Sequence, residues 1–192
     1  MASLDDLHAA QNRGFRELYA SARLVADHYE ALAELTGHDV LREAAGDAQR
    51  LLEELRERTG EYGLHGEPAA QRVGAVGARA QVAVPERFLE RNQAVRLAVL
   101  DVQHVVTLLT YLAAVSETNG TPELAEFCRT WETTMLEVEQ RVRATAVDEG
   151  AHPDRAVEPL HDTAAGRAGH KLAVWIGAAG EWYDRQSAKR RE

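Results

Sequence analysis

The chain has 192 residues, of which 45% are hydrophobic and 28% charged, and this balance predicts a globular domain with a sizeable core. Its net charge of -9 argues against nucleic acid as a partner. The single cysteine, Cys128, excludes an internal disulfide framework and suits a reducing compartment, so we expect a cytoplasmic protein. No apolar run approaches the ~20 residues of a membrane span. The opening MASLDD lacks the basic-then-apolar order of a signal peptide.

The apolar spacing predicts helices throughout the chain, and no segment alternates for long enough to indicate a strand. The first predicted helix starts after Ser3 and ends at Gly37, which is suited to a left-handed C-cap. The second begins at Asp39 as its cap and runs to Gly60.

Three further helices follow in the second half of the chain. Pro85 opens the third predicted helix, which continues to about Glu117, and Thr121-Pro122-Glu123 opens the fourth with a cap, a first-turn proline and an acidic residue. After Gly150 comes a link rich in glycine and proline, and then a fifth helix over 163–185.

The connection lengths predict how the helices are arranged. Short links around Gly37 and Gly120 require antiparallel neighbours, whereas residues 61–84 form a crossover long enough to return along a helix of ~30 Å. Two hairpins joined by a long crossover form a ferritin-like arrangement. We therefore predict an all-α protein, with a ferritin-like four-helix bundle in residues 1–150 and a link at 151–162. Residues 163–192 supply a C-terminal amphipathic helix and a basic tail that pack on the bundle or on a partner.

One stretch of the third predicted helix, AVLDVQHVVTLLTYL, suggests metal chemistry. It places Asp101 three residues before His104, and residues three apart share a helix face. Buried di-iron and di-manganese sites use this kind of spacing, with a Glu-x-x-His pair from each of two helices and a glutamate from each of two others. Iron or manganese bound by Asp101 and His104 is therefore one hypothesis for this chain.

The rest of the sequence does not supply the matching half of such a site. Glu-x-x-His occurs at Glu149–His152 and Glu158–His161, where Gly150 and Pro159 interrupt any helix face, and Asp5–His8 lies at the N-terminus. We therefore predict no metal ligands and no cofactor.

A helical projection of the third helix gives it two apolar faces. The face expected to meet the bundle core consists of Val95, Ala98, Val99, Val102, Val105, Val106 and Leu109. His104 lies nearly opposite, beside Leu97, Leu100, Leu108 and Tyr111, with Asp101 at the margin. We expect both faces to be buried, with His104 as a buried or interfacial histidine bonded locally and Asp101 nearby.

The other candidate residues are better explained by structural roles than by catalysis or ligand binding. Asp27 and His28 are expected at the solvated rim of the first helix, and Cys128 as a buried thiol beside Phe127. The glycine-rich 74–80 lacks the lysine and the preceding strand of a phosphate loop. A charged outer face accounts for three glutamates of the fourth helix: Glu132, Glu137 and Glu139.

The second apolar face of the third helix must be covered, and two covers remain open. The first is the fifth predicted helix, whose apolar residues recur at helical spacing: Leu172, Trp175, Ile176, Ala179 and Trp182 or Tyr183. The second is the same face of another copy in a symmetric homodimer.

With these elements in view, the sequence resembles the YciE/YciF-type ferritin-like bacterial stress proteins. The likeness is carried by GFRELYASARLVADHYEALAELTG, by RLLEELRERTG and by AVLDVQHVVTLLTYLAAVSETNGTPELAEFCRTWETTMLEVEQRV, about three quarters of the chain. The resemblance implies a ferritin-like fold and a stress-related setting.

The departures from that family fall at its metal ligands. The family's Tyr-Ala-Glu of the first helix corresponds to Tyr19-Ala20-Ser21, and its ligand cluster in the third helix to Val102-Gln103-His104-Val105. The paired glutamates of the fourth helix correspond to Thr133, Thr134 and Met135. The resemblance therefore implies a relative that has lost its metal site.

The sequence favours a non-catalytic, stress-associated or ligand-binding bundle that forms a cytoplasmic homodimer. The first alternative is a di-metal oxidase, peroxidase or metal-storage protein that uses Asp101 and His104. The second is an accessory protein that docks a partner through the C-terminal helix.

Overall fold

The computed structural model describes residues 7–65 and 89–161. These ranges contain four long helices: α1 (Ala9–Thr36), α2 (Asp39–Gly60), α3 (Arg91–Thr118) and α4 (Pro122–Asp148). A 3₁₀ turn (Glu149–Ala151) and a one-turn helix (Pro153–Ala156) follow α4. The described ranges form no strand beyond an isolated bridge between Glu90 and Pro159, which confirms the all-α class. Most of the predicted crossover and the fifth predicted helix lie outside these ranges.

Helix α1 begins later than the sequence predicts because a polar cap stops it at Ala9. The Nδ1 atom of His8 accepts a hydrogen bond from Ala10 N at 3.1 Å, and Gln11 Oε1 accepts one from His8 N at 3.0 Å. This reciprocal pair is a capping box, which satisfies donors that a helix start otherwise leaves open. The predicted end is confirmed, since Gly37 is left-handed with a φ of 73°.

The starts of α2 and α3 differ from the sequence prediction, whereas that of α4 agrees with it. The N-cap of α2 is His38, so Asp39 is the first helical residue and pairs with Arg42 rather than capping the helix. Helix α3 begins at Arg91, and Pro85 lies outside the described ranges. The predicted start of α4 is confirmed, with Pro122 in its first turn.

Side-chain hydrogen bonds show how the four helices run. Neighbours in the bundle are α1–α2, α1–α3, α2–α4 and α3–α4. Each pair is antiparallel, and the bonds that show this are Tyr19 with Thr59, Gln11 with Ser116, Tyr29 with Ala98, Trp131 with Glu54, Arg141 with Asp47, and Gln103 with Glu139. Helices α2 and α3 therefore run in the same direction, and α3 begins at the opposite end of the bundle from the end of α2.

The apolar stripes of the four helices meet in one interior. Its largest fully buried apolar side chains include Phe15, Leu18, Tyr29, Leu32, Leu41, Leu51, Leu55, Leu109, Leu112, Leu124 and Met135. The predicted core face of α3 is confirmed, because each of its residues is buried or packs against the core. Burial of this area is the main favourable term in the folding of such a bundle.

The prediction that the outer face of α3 is buried stays untested, because the C-terminal segment expected to cover it lies outside the described residues. Leu97, Leu100 and Tyr111 are 43%, 57% and 47% exposed, while Leu108 is buried. The reason is that α1, α4 and the one-turn helix contact α3 from other directions. Helix α3 is also long and apolar enough to cross a membrane, with a mean hydropathy of 1.6 and 44% of the window buried. A core helix of a globular protein meets the same two criteria.

The link after α4 packs back onto the start of α3. Arg91 N donates to Glu158 O at 2.8 Å, and Leu160 N donates to Leu89 O at 3.0 Å. Leu160 is itself buried. The predicted link is therefore part of the packed structure up to His161, the last described residue.

The assignment of the core predicts a contrast between two leucines. Leu109→Ala removes a fully buried side chain and should lower the free energy of unfolding by about 2–5 kcal/mol. Leu136→Ala, at a site 40% exposed on α4, should cost less than about 1 kcal/mol. Urea denaturation followed by circular dichroism measures both, and equal losses would contradict the packing.

Candidate functional site

Asp101, the acidic residue of the suspected metal pair, binds a histidine of α1 across the boundary between α1 and α3. Asp101 Oδ2 lies 2.8 Å from His28 Nδ1, with the two side chains 27% and 11% exposed. Because α1 and α3 run antiparallel, their sequence positions meet here although 73 residues separate them. The prediction that His28 lies at a solvated rim is wrong: it is largely buried and held by Asp101, while its neighbour Asp27 is exposed.

His104 contacts α1 at the surface of the bundle. Its Nε2 atom lies 3.2 Å from Glu17 Oε1 on α1, and the two side chains are 52% and 55% exposed. The expectation of a buried, locally bonded histidine is therefore wrong, and an interfacial His104 stays a prediction. The physical reason is that α1 approaches the flank of α3 beside His104 and leaves the outer side open. Asp101 and His104 face different partners and do not act together.

The centre of the bundle is apolar at the heights where a di-metal site would need carboxylates. Val102 and Met135, two of the positions that correspond to ligands in the resembled family, are fully buried apolar residues. The described ranges contain no group of three or more histidine, cysteine, aspartate or glutamate side chains able to hold a metal ion. A buried di-metal site needs about six such ligands, so these residues do not fit one.

Tyr29 places a polar hydroxyl within the apolar core. It is fully buried, and its hydroxyl donates to the carbonyl of Ala98 at 2.6 Å. Burial raises the pKa of Tyr29 above its ordinary value of 10.0, and the nearby charges of Asp101 and Glu139 raise it further. The phenol therefore stays protonated and serves as a hydrogen-bond donor that ties α1 to α3.

A buried ion cluster closes one end of the bundle. Glu149, 8% exposed, has Oε1 at 2.7 Å from His38 Nε2 and 3.2 Å from Arg91 Nε, and its Oε2 accepts from Asn92 Nδ2 at 3.1 Å. Arg91 also donates to the carbonyl of Thr36. The cluster thus joins the α1–α2 turn, the start of α3 and the end of α4.

Competing effects set the ionisation of Glu149. Burial opposes its negative charge, but the hydrogen bonds from His38, Asn92 and Arg91 outweigh burial and hold the pKa below its ordinary value of 4.5. In the sequence, Glu149 lies in the link after the fourth helix, and the Glu-x-x-His spacing pairs it with His152. No local pattern marks its true partners, which come from two other helix ends.

A second polar network closes the opposite end. Gln11 is fully buried, and its Nε2 atom donates to Ser116 Oγ at 3.1 Å and to Thr121 Oγ1 at 2.8 Å. Its Oε1 atom accepts from Asn119 Nδ2 at 2.6 Å as well as from His8 N. All four hydrogen-bonding positions of the amide are filled, as a buried polar group requires.

Two further predictions from the sequence have clear outcomes. The buried state of Cys128 is confirmed, and burial raises the pKa of its thiol to about 12, which keeps it protonated and a poor nucleophile. The outer-face assignment of Glu139 is wrong, since it is buried and bonded to Gln103 and Arg143. Glu137 is exposed as expected, and Glu132 is half-buried and bonded to Thr110.

An open groove of about 590 Å³ lies between α1 and α2. Small side chains form much of its wall, among them Ala26, Ala31 and Ala45, and Glu30 and Glu34 stand on the α1 side. Sequence reasoning did not single out this groove, because it depends on how the two helices pack. It is a shallow surface feature without a buried polar group directed into it among the residues that line it.

Comparisons with protein-family models, with curated proteins and with solved structures found no match to this chain.

The His28–Asp101 contact predicts measurable coupling between α1 and α3. A double-mutant cycle with His28→Gln and Asp101→Asn should give about 1–2 kcal/mol at pH 7, because the hydrogen bond is charged and partly buried. The same cycle at the exposed pair, with His104→Gln and Glu17→Gln, should give less than about 0.5 kcal/mol. Similar coupling at both pairs would contradict the burial difference.

The Glu149 cluster predicts a pH-dependent loss of stability. Because the folded-state pKa is lowered, the stabilisation is present above the ordinary carboxyl pKa of 4.5 and is lost as the pH falls through the folded-state value. At pH 7, Glu149→Gln should lower the free energy of unfolding by about 2–4 kcal/mol, and this difference from the wild type should shrink at acidic pH.

The control is Glu126→Gln, which changes a carboxylate that is 76% exposed. It should alter stability by less than about 0.5 kcal/mol at every pH. Urea melts between pH 7 and pH 3 make the comparison, with His38 present in all three proteins. A Glu149→Gln deficit that stays constant with pH would show that the carboxylate charge is not the stabilising feature.

Proposed function

We propose that this chain is a non-catalytic binding protein built on a ferritin-like bundle. The antiparallel packing of all four neighbouring helix pairs supports this arrangement, as do the short turns within α1–α2 and α3–α4. The parallel course of α2 and α3 requires a connection that spans the bundle, which is what the length of chain between them allows.

The observation that carries the proposal is the apolar centre. Ferritin-like metal enzymes place several carboxylates and histidines between the helices, whereas this chain fills the same region with side chains such as Leu18, Val102 and Met135. A bundle that has exchanged its metal ligands for a packed core gains stability and loses the means of redox chemistry. What remains for function is its surface.

The ionisable groups that could otherwise serve catalysis also favour a binding role. Cys128 is a protonated buried thiol, Glu149 is held by three partners at a helix end, and Asp101 is held by His28. A general acid or base has to reach a substrate, and these groups are committed to contacts within the bundle. The stress-related setting, the cytoplasmic location and the homodimer remain predictions from the sequence.

The rival hypothesis, a di-metal oxidase, peroxidase or metal store, makes the opposite prediction about metal content. We expect the purified full-length protein to contain iron and manganese far below one equivalent, with no change in Asp101→Asn or His104→Ala. Inductively coupled plasma mass spectrometry measures this after expression in medium with added iron and manganese.

The matched control is His152→Ala, which removes an exposed histidine outside the four long helices. Near-stoichiometric iron or manganese that falls in Asp101→Asn or His104→Ala, but not in His152→Ala, would overturn the proposal in favour of the metalloprotein.

A further inference from the structure

The outer face of α3 is largely apolar, with the exposed imidazole of His104 between its apolar residues. Leu97, Leu100, Leu108 and Tyr111 share one side of the helix, with spacings of three, eight and three residues. Three of the four are among the large apolar side chains that the described structure leaves exposed. From Leu97 to Tyr111 this stripe of apolar residues extends about 21 Å at 1.5 Å per residue. A patch of this kind on an otherwise charged surface marks a contact site.

The described chain ends at the start of α3. Leu160 is buried and bonded to Leu89, and Pro159 bridges to Glu90, immediately before the first residue of α3. The following 31 residues, 162–192, therefore continue from an anchored point at the same end of the bundle as Leu97 and Leu100. A helix over 163–185 would be about 34 Å long at 1.5 Å per residue, which is more than the length of the stripe.

The sequence of that continuation matches the stripe in pattern and in charge. Its apolar residues repeat at helical spacing over about 17 Å, and they are Leu172, Trp175, Ile176, Ala179, Trp182 and Tyr183. Residues 163–192 carry six lysines and arginines against three acidic residues, in a chain whose overall net charge is -9. Residues 163–185 are thus amphipathic with a small basic excess, and the tail that follows them supplies most of the positive charge that complements an acidic bundle.

We propose that residues 163–185 form a helix that packs along the outer face of α3 of the same chain. The two tryptophans of the segment cover Leu97, Leu100 and Tyr111, and α3 is then buried on both of its apolar faces. The exposed stripe is thus the binding surface for the chain's own C-terminal segment. It does not bind a membrane or a second copy.

Hydrogen–deuterium exchange of the full-length protein tests the proposal. In the wild type, amides of residues 172–183 should exchange at least about tenfold more slowly than amides of the 187–192 tail. The double variant Leu97→Asp/Leu100→Asp places two charges on the stripe and should accelerate exchange in 172–183 by at least about tenfold. The control Leu136→Asp alters an equally exposed leucine on α4 and should leave these amides unchanged.

Protection of amides in α2 and α4 reports whether each variant is folded. If the double variant unfolds, the milder Leu100→Ser replaces it, with the same expected direction. Unprotected amides at 172–183 in the wild type would overturn the proposal, as would protection that the stripe variants do not alter.

Two further outcomes would assign the stripe to another occupant. A second copy would be identified if light scattering shows a dimer that becomes monomeric in Leu97→Asp/Leu100→Asp. In that case the protection of amides 172–183 should also fall on dilution. Binding to vesicles of phosphatidylcholine and phosphatidylglycerol that is lost in the same variant would identify a membrane. Either result overturns packing within one chain, and neither depends on whether the bundle binds metal.

Discussion

Burial of four apolar stripes against one another is the interaction on which the described structure depends. Each long helix contributes residues at helical spacing, and the resulting interior leaves room for few polar groups. Tyr29 is tolerated there because its hydroxyl finds the carbonyl of Ala98. Glu139 is buried as well, and its carboxylate accepts hydrogen bonds from Gln103 and Arg143, which offset the cost of burying its charge.

Polar contacts are consequently displaced to the ends and boundaries of the bundle. Gln11 closes one end with a fully satisfied amide, and Glu149 closes the other with a carboxylate held by three side chains. His28 and Asp101 occupy the α1–α3 boundary between them. Contacts of this kind select one register among the many that apolar packing alone would allow, because a shift of one helix would leave buried polar groups unpaired.

Helix α3 presents large apolar side chains at its surface as well as in the core. One side of α3 is core and the other presents Leu97, Leu100 and Tyr111. The two-sided apolar pattern that the sequence shows is real, but the described helices satisfy only half of it. What covers the second half decides whether this helix is an internal element or an interaction site.

The sequence by itself determined the all-α class, most helix ends and the core face of α3, because these follow from spacing and from residues such as Gly37 and Pro122 that act locally. It determined the burial of Cys128 for the same reason. Only the tertiary structure decided that Asp101 pairs with His28, that His104 meets Glu17 at the surface, and that Glu149 binds His38. These partners lie 73 to 111 residues apart, and pairing over such distances depends on which helix ends and faces the fold brings together. Spacing along one helix says nothing about that.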